Sequence, residues 1–574
     1  MMLSKSNRIG YAFVVGSILS VVVVGCTMNK MDGFSNEDWQ RVTAIAPLAT
    51  PMPANPYDKM REDEDAIARF GQRLFFDKRG AEAITIDGPS GKGPVTMTDP
   101  ATGMPVTVPG EKGKVSCATC HGSTYLVDSR PFPISHGRNW LAHNTPTMAN
   151  LGYLRSVLWT GRFDSLREHG AGALGGAATT MAQIHFIYNY HRDEYNTLFP
   201  TTPLDPALDP TDPGAARFPV TGNAKGATTV NGKTTMSADG PFEKMTKADQ
   251  WVVNQFKGNM GIVFEAHPRK LNTPGSKFER YVNNEDSSAL SDSAKNGLRL
   301  FIGKASCIDC HNGPALSDGL YHNVGVPTQK YNPPPLYNPM MTAGAPDRGR
   351  GGVLIGGLNN QIMQLRTNEM LASMDQVPIF GGAGQFSDDA TSGRANLVAQ
   401  DAATCITRST DPADVTAACQ ALFFPGSPED TTKSPAVPAK PADPRLDTCI
   451  AANSASGVDI CTAYDPQFEG AFRTPILLNI AETGPYFHTG EYNTLTDVVN
   501  HYNQGGGVPG TFVGTKSPRL QPLGLTETEV ADLVEFLKTL TGNPPDPDWM
   551  CDPALPPAAA GVAAVANGPC AAAP

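Results

Sequence analysis

Two small, mainly α-helical domains interrupted by long loops are what this 574-residue sequence predicts, and three observations carry that expectation. The pattern C-x-x-C-H occurs twice, as Cys117-Ala-Thr-Cys120-His121 and as Cys307-Ile-Asp-Cys310-His311. An amphipathic helical stretch precedes each copy, so one half of the chain repeats the layout of the other. The chain also holds 57 glycines and 50 prolines with only 18% charged residues, a loop-rich composition.

C-x-x-C-H is the pattern of covalent c-type haem attachment. Two thiols add to the two vinyl groups of one haem, and the spacing of three puts both sulfurs on one turn. The next residue then offers its imidazole to the iron. Chance would give roughly 0.004 copies in a chain of this composition. A zinc site would need two more ligands at similar spacing, and none follows either motif. The sequence therefore implies two c-type haems, and the fold class is mainly α with two cytochrome-c-like haem domains and long loop insertions. A net charge of −11 and a pI near 5.5 argue against nucleic acid as a partner.

Residues 1–25 read as a targeting segment. Lys5 and Arg8 form a basic start, and residues 11–24 are apolar but short for a membrane span. The stretch ends Val23-Val24-Gly25-Cys26, which resembles a bacterial lipobox. That implies cleavage before Cys26 and lipidation of its thiol, the alternative being an ordinary secretory signal. Export suits the haems, because c-type attachment takes place outside the bacterial cytoplasm. Thr27 in place of an Asp favours the outer membrane, facing the periplasm. Cys405, Cys419, Cys449, Cys461, Cys551 and Cys570 are then left for disulfides in an oxidising compartment. Cys405–Cys419, Cys449–Cys461 and Cys551–Cys570 are the expected pairs.

Along the chain, residues 26–60 are expected to be a polar tether, 61–245 a first haem domain, and 246–545 a second. Residues 546–574 read as a low-complexity tail. Ile67, Phe70, Gly71 and Leu74 set a helix over 63–76. Residues 80–114 read as a hairpin excursion and 200–245 as an inserted loop. Helices are expected over 164–170, 247–266, 291–301 and 494–503. The helix over 526–540 has Thr526 as N-cap and Glu529 three residues on. Residues 330–465 are too long for a connection and read as an insertion.

Several blocks carry a family resemblance. They are Gly71-…-Leu74-Phe75-Phe76-Asp77, Asn144-Thr-Pro-Thr, Leu158-Trp159-Thr-Gly161-Arg162 and Phe278-Glu-Arg-Tyr281. The longest is Phe472-Arg-Thr-Pro475-…-Asn479-Ile-Ala-Glu-Thr483-Gly-Pro485-Tyr486-Phe487-His488-Thr-Gly490. Together they resemble the bacterial di-haem cytochrome c peroxidase family, which also contains MauG. The resemblance spans about 70–545 outside the insertions. It implies two haem domains with a calcium ion between them, the N-terminal haem meeting peroxide and the C-terminal haem acting as donor or charge reservoir.

Residue by residue, the resemblance makes His121 and His311 the proximal ligands and Trp159 an electron relay between the haems. Asn144, Thr483 and Pro485 match calcium ligands, a side-chain oxygen and two carbonyls suiting a hard cation. His136 matches the distal histidine of the first haem. Tyr502 stands where typical family peroxidases place the Met ligand of the second haem, as in MauG. A phenolate is hard and favours Fe(III), where a thioether favours Fe(II). One departure counts against peroxide cleavage. The stretch Gly175-Gly-Ala-Ala-Thr179-Thr180-Met181 holds no carboxylate where the family has a Glu, and His169 is a weak substitute.

The resemblance implies hydrogen peroxide as oxidant. The electron source would be a small redox protein, cytochrome c or a cupredoxin. Two alternatives stay open: MauG-like oxidation of a partner protein, and a non-enzymatic lipid-anchored electron-transfer cytochrome. A homodimer is an open option. Intact mass tests the covalent part of this reading. The native protein should begin at lipid-modified Cys26 and carry two haems, and Cys117→Ala with Cys120→Ala should remove one haem. A native mass with one haem, or none, refutes it.

Overall fold

The computed structural model describes residues 33–46, 64–80, 115–128, 135, 143–154, 157–161, 163, 166–173, 177–220, 241–327, 349 and 469–571 apart from 560 and 565. It also describes short strand pairs at 87–88 with 91–92, 95–98 with 105–108, 227–230 with 233–236, and 429–430 with 437–438. The targeting segment, His136, the spare cysteines 405–461 and nearly all of the 330–465 insertion lie outside these residues.

Helices dominate what is described. They are α1 (Asn36–Ala44), α2 (Glu64–Phe76), α3 (Cys117–Cys120), α4 (Leu166–Ala173), α5 (Ala177–Leu198), α6 (Pro241–Lys244) and α7 (Lys247–Arg269). Then come α8 (Lys277–Val282), α9 (Asp292–Ile302), α10 (Leu495–Asn503), α11 (Glu527–Lys538) and α12 (Pro547–Met550). Their starts follow from short polar side chains. Ser276 with Glu279, and Thr526 with Glu529, form reciprocal capping boxes on α8 and α11. The excursion over 80–114 holds an antiparallel pair, Val95–Thr98 against Pro105–Val108, as its alternating Val and Thr imply.

Two of the main helix crossings are each permitted by a glycine. On α2 a side chain at Gly71 would sit 2.5 Å from the Val263 carbonyl of α7. On α9 a side chain at Gly297 would sit 2.0 Å from the Asp532 carbonyl of α11. Neither distance admits a Cβ, so each pair approaches backbone to backbone. Around the first crossing, Ile67 and Phe70 bury with Val253, Phe256, Met260 and Val263. Around the second, Phe536 meets Phe278 and Phe301 edge-on, with ring centroids 5.4 and 5.2 Å apart.

Three expectations need correction. The sequence reading put α7 at the head of the second domain, yet α7 packs on α2 and shares its core. Gly71 of α2 lets the two helix backbones come close. Within the expected tether lies α1, capped by Ser35 and Asp38. Phe34, Trp39, Val42 and Ile45 are buried against the second-motif core, and Trp39 meets Tyr281 edge-on at 5.9 Å. The stretch looked polar because only these spaced residues carry it. The supposed low-complexity tail is folded as well.

That tail closes on the first half of the chain. Cys551 and Cys570 are disulfide-bonded across 19 residues, as expected. Trp549 lies under the Arg69 guanidinium at 3.6 Å. Gln72 donates to the carbonyls of Asp548 and Cys551 at 2.7 and 3.0 Å, and Asn567 donates to the Gly122 carbonyl beside the first haem motif. Met550 buries with Phe75, Phe76 and Leu126.

His267 of α7 fixes the tail through a proton. Its Nε2–H donates to the Trp549 carbonyl at 2.9 Å. Burial pulls the imidazole down to about 4, outweighing that hydrogen bond. The folded group therefore stays neutral where the unfolded one, titrating at 6.5, takes up a proton. This contribution to stability is complete above pH 6.5 and is lost as pH falls toward 4. At pH 4.5 the wild type should lose on the order of 2–3 kcal/mol more than His267→Gln does, relative to pH 7. Urea unfolding of both proteins at the two pH values checks this, and equal losses refute it.

Candidate haem sites and the region between them

Both C-x-x-C-H motifs fold the same way. In the first, Cys117–Cys120 make one helical turn and His121 donates its amide to the Cys117 carbonyl at 3.0 Å. In the second, Cys307–Asp309 make a tighter turn and His311 donates to the Cys307 carbonyl at 2.8 Å. The spacing of three thus sets two thiols and an imidazole on one short turn in each copy. All four thiols are outside disulfides.

Each imidazole is oriented from behind. His121 Nδ1 lies 2.9 Å from the Leu126 carbonyl, and His311 Nδ1 lies 2.8 Å from the Leu316 carbonyl. A carbonyl can only accept, so Nδ1 carries the proton and Nε2 keeps its lone pair. Burial depresses both imidazole pKa values, which keeps them neutral. Both leucines pay with backbone conformation, at φ 61° and 47°. A metal-binding histidine is ordinarily held in this way.

Two cavities of about 1100 and 960 Å³ border Cys307 and His311. Trp159, Arg473, Phe487 and Tyr502 line both. The first is walled by Leu, Ile and Val side chains, and Asn144, Thr483 and Pro485 also line it. Cys310 lines the second. So the residues singled out for the second haem, the relay and the cation come together here. Cys117, Cys120 and His121 form a separate site, where Ala118 packs on the Phe75, Phe76 and Leu126 cluster. The residues present fit a c-type haem at each motif by thiol spacing and histidine tautomer.

Tyr502 sits on α10, and its ring lies 6.0 Å from that of Phe487. Burial raises its phenol well above the ordinary value. Trp159 is buried, and its indole N–H donates to the Asn144 carbonyl at 2.8 Å. His169, the weak acid–base substitute, lies on α4 with its ring 5.2 Å from Phe163.

Several residues of this region escaped the sequence reading. Phe472 stacks on His488 at 3.4 Å, and His143 meets both rings edge-on. Trp159 lies 6.4 Å from His488. Asp318 and His322 pair at 2.8 Å beside Cys310. Burial opposes both charges, but their hydrogen bond holds the Asp318 carboxyl low. With Cys310, it also lifts His322 to about 9. The paired loops T-P-x-x-x-N could have been found as a repeat. Thr145-Pro146 leads to Asn150, and Thr474-Pro475 leads to Asn479. Both asparagines adopt left-handed backbone, at φ 60° and 62°. Their Nδ2 groups both donate to Thr273 Oγ1 at 2.7 Å, in a buried knot.

The chain was compared with known proteins. A family model described as di-haem cytochrome c peroxidase matches residues 109–202, which span the first motif, Asn144 and Trp159. A cytochrome-c peroxidase, IdrP2 of Denitromonas iodatirespirans, is 28% identical over 50% of this chain and 48% of its own length. IdrP1 of Pseudomonas sp. (strain SCT), also a cytochrome-c peroxidase, is 23% identical over 94% of this chain and 95% of its own. These matches support the di-haem cytochrome c peroxidase/MauG family that the motifs resemble. Methylamine utilization protein MauG of Methylophilus methylotrophus is 23% identical over 54% of this chain and 69% of its own. These relatives support a haem oxidoreductase. The family implies two c-type haems, one for each motif.

The Thr273 knot ties the loops that bear Asn144 and Thr483 to one hydroxyl. Thr273→Val should leave two buried N–H donors without an acceptor and cost about 2–4 kcal/mol. Thr273→Ser should stay close to wild type. Urea unfolding checks it, and a valine variant as stable as the serine one refutes it.

Proposed function

We propose that the chain is an exported enzyme that reduces hydrogen peroxide with electrons from a small redox protein, a cytochrome c or a cupredoxin. Cys26 would tether it by lipid to the periplasmic face of the outer membrane. The observation that carries the reading is the seat of Trp159. It is buried, fixed by its hydrogen bond to Asn144, and borders both cavities beside His311. The haems, once attached, supply the one-electron chemistry. The chain's own part is to hold His121 and His311 neutral, keep Trp159 rigid, and exclude water from the apolar cavity.

His136 would face the first haem as its distal histidine. A calcium ion would be held by Asn144, Thr483 and Pro485. The Asn144 amide donates to the His488 carbonyl and its carbonyl accepts from Trp159; the proposed ligand atom is its side-chain oxygen. A cation there would stiffen the loop that seats Trp159. The carboxylate-free stretch at 175–181 leaves no acid–base group of the usual kind there.

Tyr502 favours a second reading, MauG-like oxidation of a partner protein. Bound as phenolate, it would hold the second haem low in potential and let that haem share an oxidising equivalent through Trp159. Steady-state assays with peroxide and reduced cytochrome separate the two readings. Turnover supports peroxide reduction. Oxidation of both irons by one equivalent of peroxide, without cytochrome turnover, supports the second. Inertness toward peroxide refutes both. Tyr502→Met should raise the second haem's potential and abolish two-haem oxidation, and unchanged potentials would mean Tyr502 is off the iron. Chelation should alter the haem spectra in the same assay, and no change would remove calcium.

A further inference from the structure

Arg473 is a buried cation without a protein anion. It lies in the short strand Phe472–Arg473, paired with Tyr321–His322, and is 4% exposed. Its Nε–H donates to the Leu158 carbonyl at 3.0 Å and Nη1 to the Thr474 carbonyl at 3.3 Å. Among the described residues it makes no ion pair. Asp318, the carboxylate whose charge reaches it, is bonded to His322. Burial lowers the guanidinium only to about 10, so it is charged at neutral pH.

Such a charge costs several kcal/mol unless an anion completes it. The protein supplies only neutral carbonyls, and the remaining N–H groups of the fork have no acceptor among the described residues. Arg473 borders both cavities that flank His311. A haem attached at Cys307 and Cys310 brings two carboxylates of its own on its propionate edge. The planar Arg fork matches a carboxylate with two parallel hydrogen bonds.

We propose that Arg473 binds a propionate of the second haem and positions that haem edge against the Trp159 segment. The link to Trp159 is direct. The Arg473 main-chain N–H donates to the Trp159 carbonyl at 2.7 Å, and its side chain holds the carbonyl one residue earlier. One residue therefore ties the haem edge to the relay from both its main chain and its side chain. It is a positioning residue.

The inference rests on a haem at Cys307–His311, and the test separates the two. A wild type with one haem by mass fails that reading before Arg473 is in question. With two haems present, the readouts are the second haem's midpoint potential against pH and its propionate bending band in resonance Raman. In Arg473→Gln the buried propionate keeps its charge without a partner, which favours Fe(III). The one-electron equilibrium should shift about tenfold toward Fe(III), about 59 mV. The potential should also gain a pH dependence of up to tenfold per pH unit, because the unpaired propionate takes a proton on reduction. The first haem should not move. Arg473→Lys keeps the charge but not the fork. It should restore most of the potential while the propionate band stays shifted. Wild-type potentials and an unmoved band in both variants overturn the proposal. Should Arg473→Gln fail to fold, the lysine variant decides alone: a shifted band supports the proposal and an unmoved band overturns it.

Discussion

Everything around the two motifs depends on a hydrogen bond from each histidine to a leucine carbonyl. His121 to Leu126 and His311 to Leu316 are the same bond, five residues on, closed by a leucine in left-handed backbone. Without it either ring nitrogen could carry the proton. With it, Nδ1 is spent and Nε2 is the only nitrogen able to meet a metal. The conformational cost at leucine is on the order of 1–3 kcal/mol, and its appearance at both sites marks it as part of the site's design.

The two halves share more than their motifs. Val157 bridges Phe163, and Tyr486 bridges Tyr492, each as one antiparallel contact. Leu158 and Phe487, the residues after the first bridge partner, both sit at φ near 65°, being 68° and 65°. Gly161 and Gly490 follow three residues later at 60° and 64°. Trp159 and His488 therefore hold equivalent places in two copies of one turn. The copies face each other, with ring centroids 6.4 Å apart. The fold repeats and the side chains differ: an indole on one side, an imidazole stacked on Phe472 on the other.

Much of this was legible in the chain. Helices with apolar residues on one face and a capping box, such as α11, were read to within two residues. The motifs themselves fix their own turns. The 22-residue α5 was missed although Met181, Ile184, Tyr188, Tyr195 and Leu198 recur at helical spacing. His185, Phe186 and His191 between them blur the face. The tail was misread because Ala and Pro dominate its composition, while a few spaced residues, Trp549, Met550 and Cys551 among them, carry its packing. Arg473 lay in plain sight inside the longest matching block. Its burial depends on strands 150 residues apart meeting, which no local pattern reports.

The chemistry of the second site turns on where charge can exist in it. Tyr502 and Arg473 border the same cavities, and burial acts against the charged form of each. For Arg473 the ordinary pKa is high enough that the lowered group stays a cation. For Tyr502 the phenol moves further from ionisation, and no hydrogen bond from Arg473 reaches it, since that guanidinium is turned to Leu158 and Thr474. Burial alone therefore disfavours a phenolate here. A ferric iron bonded to the oxygen would oppose that shift. Were Tyr502 to ligate the iron, ligand and metal charge would depend on each other. Tyr502 would be an anion when iron binds it and an inert buried phenol when iron does not.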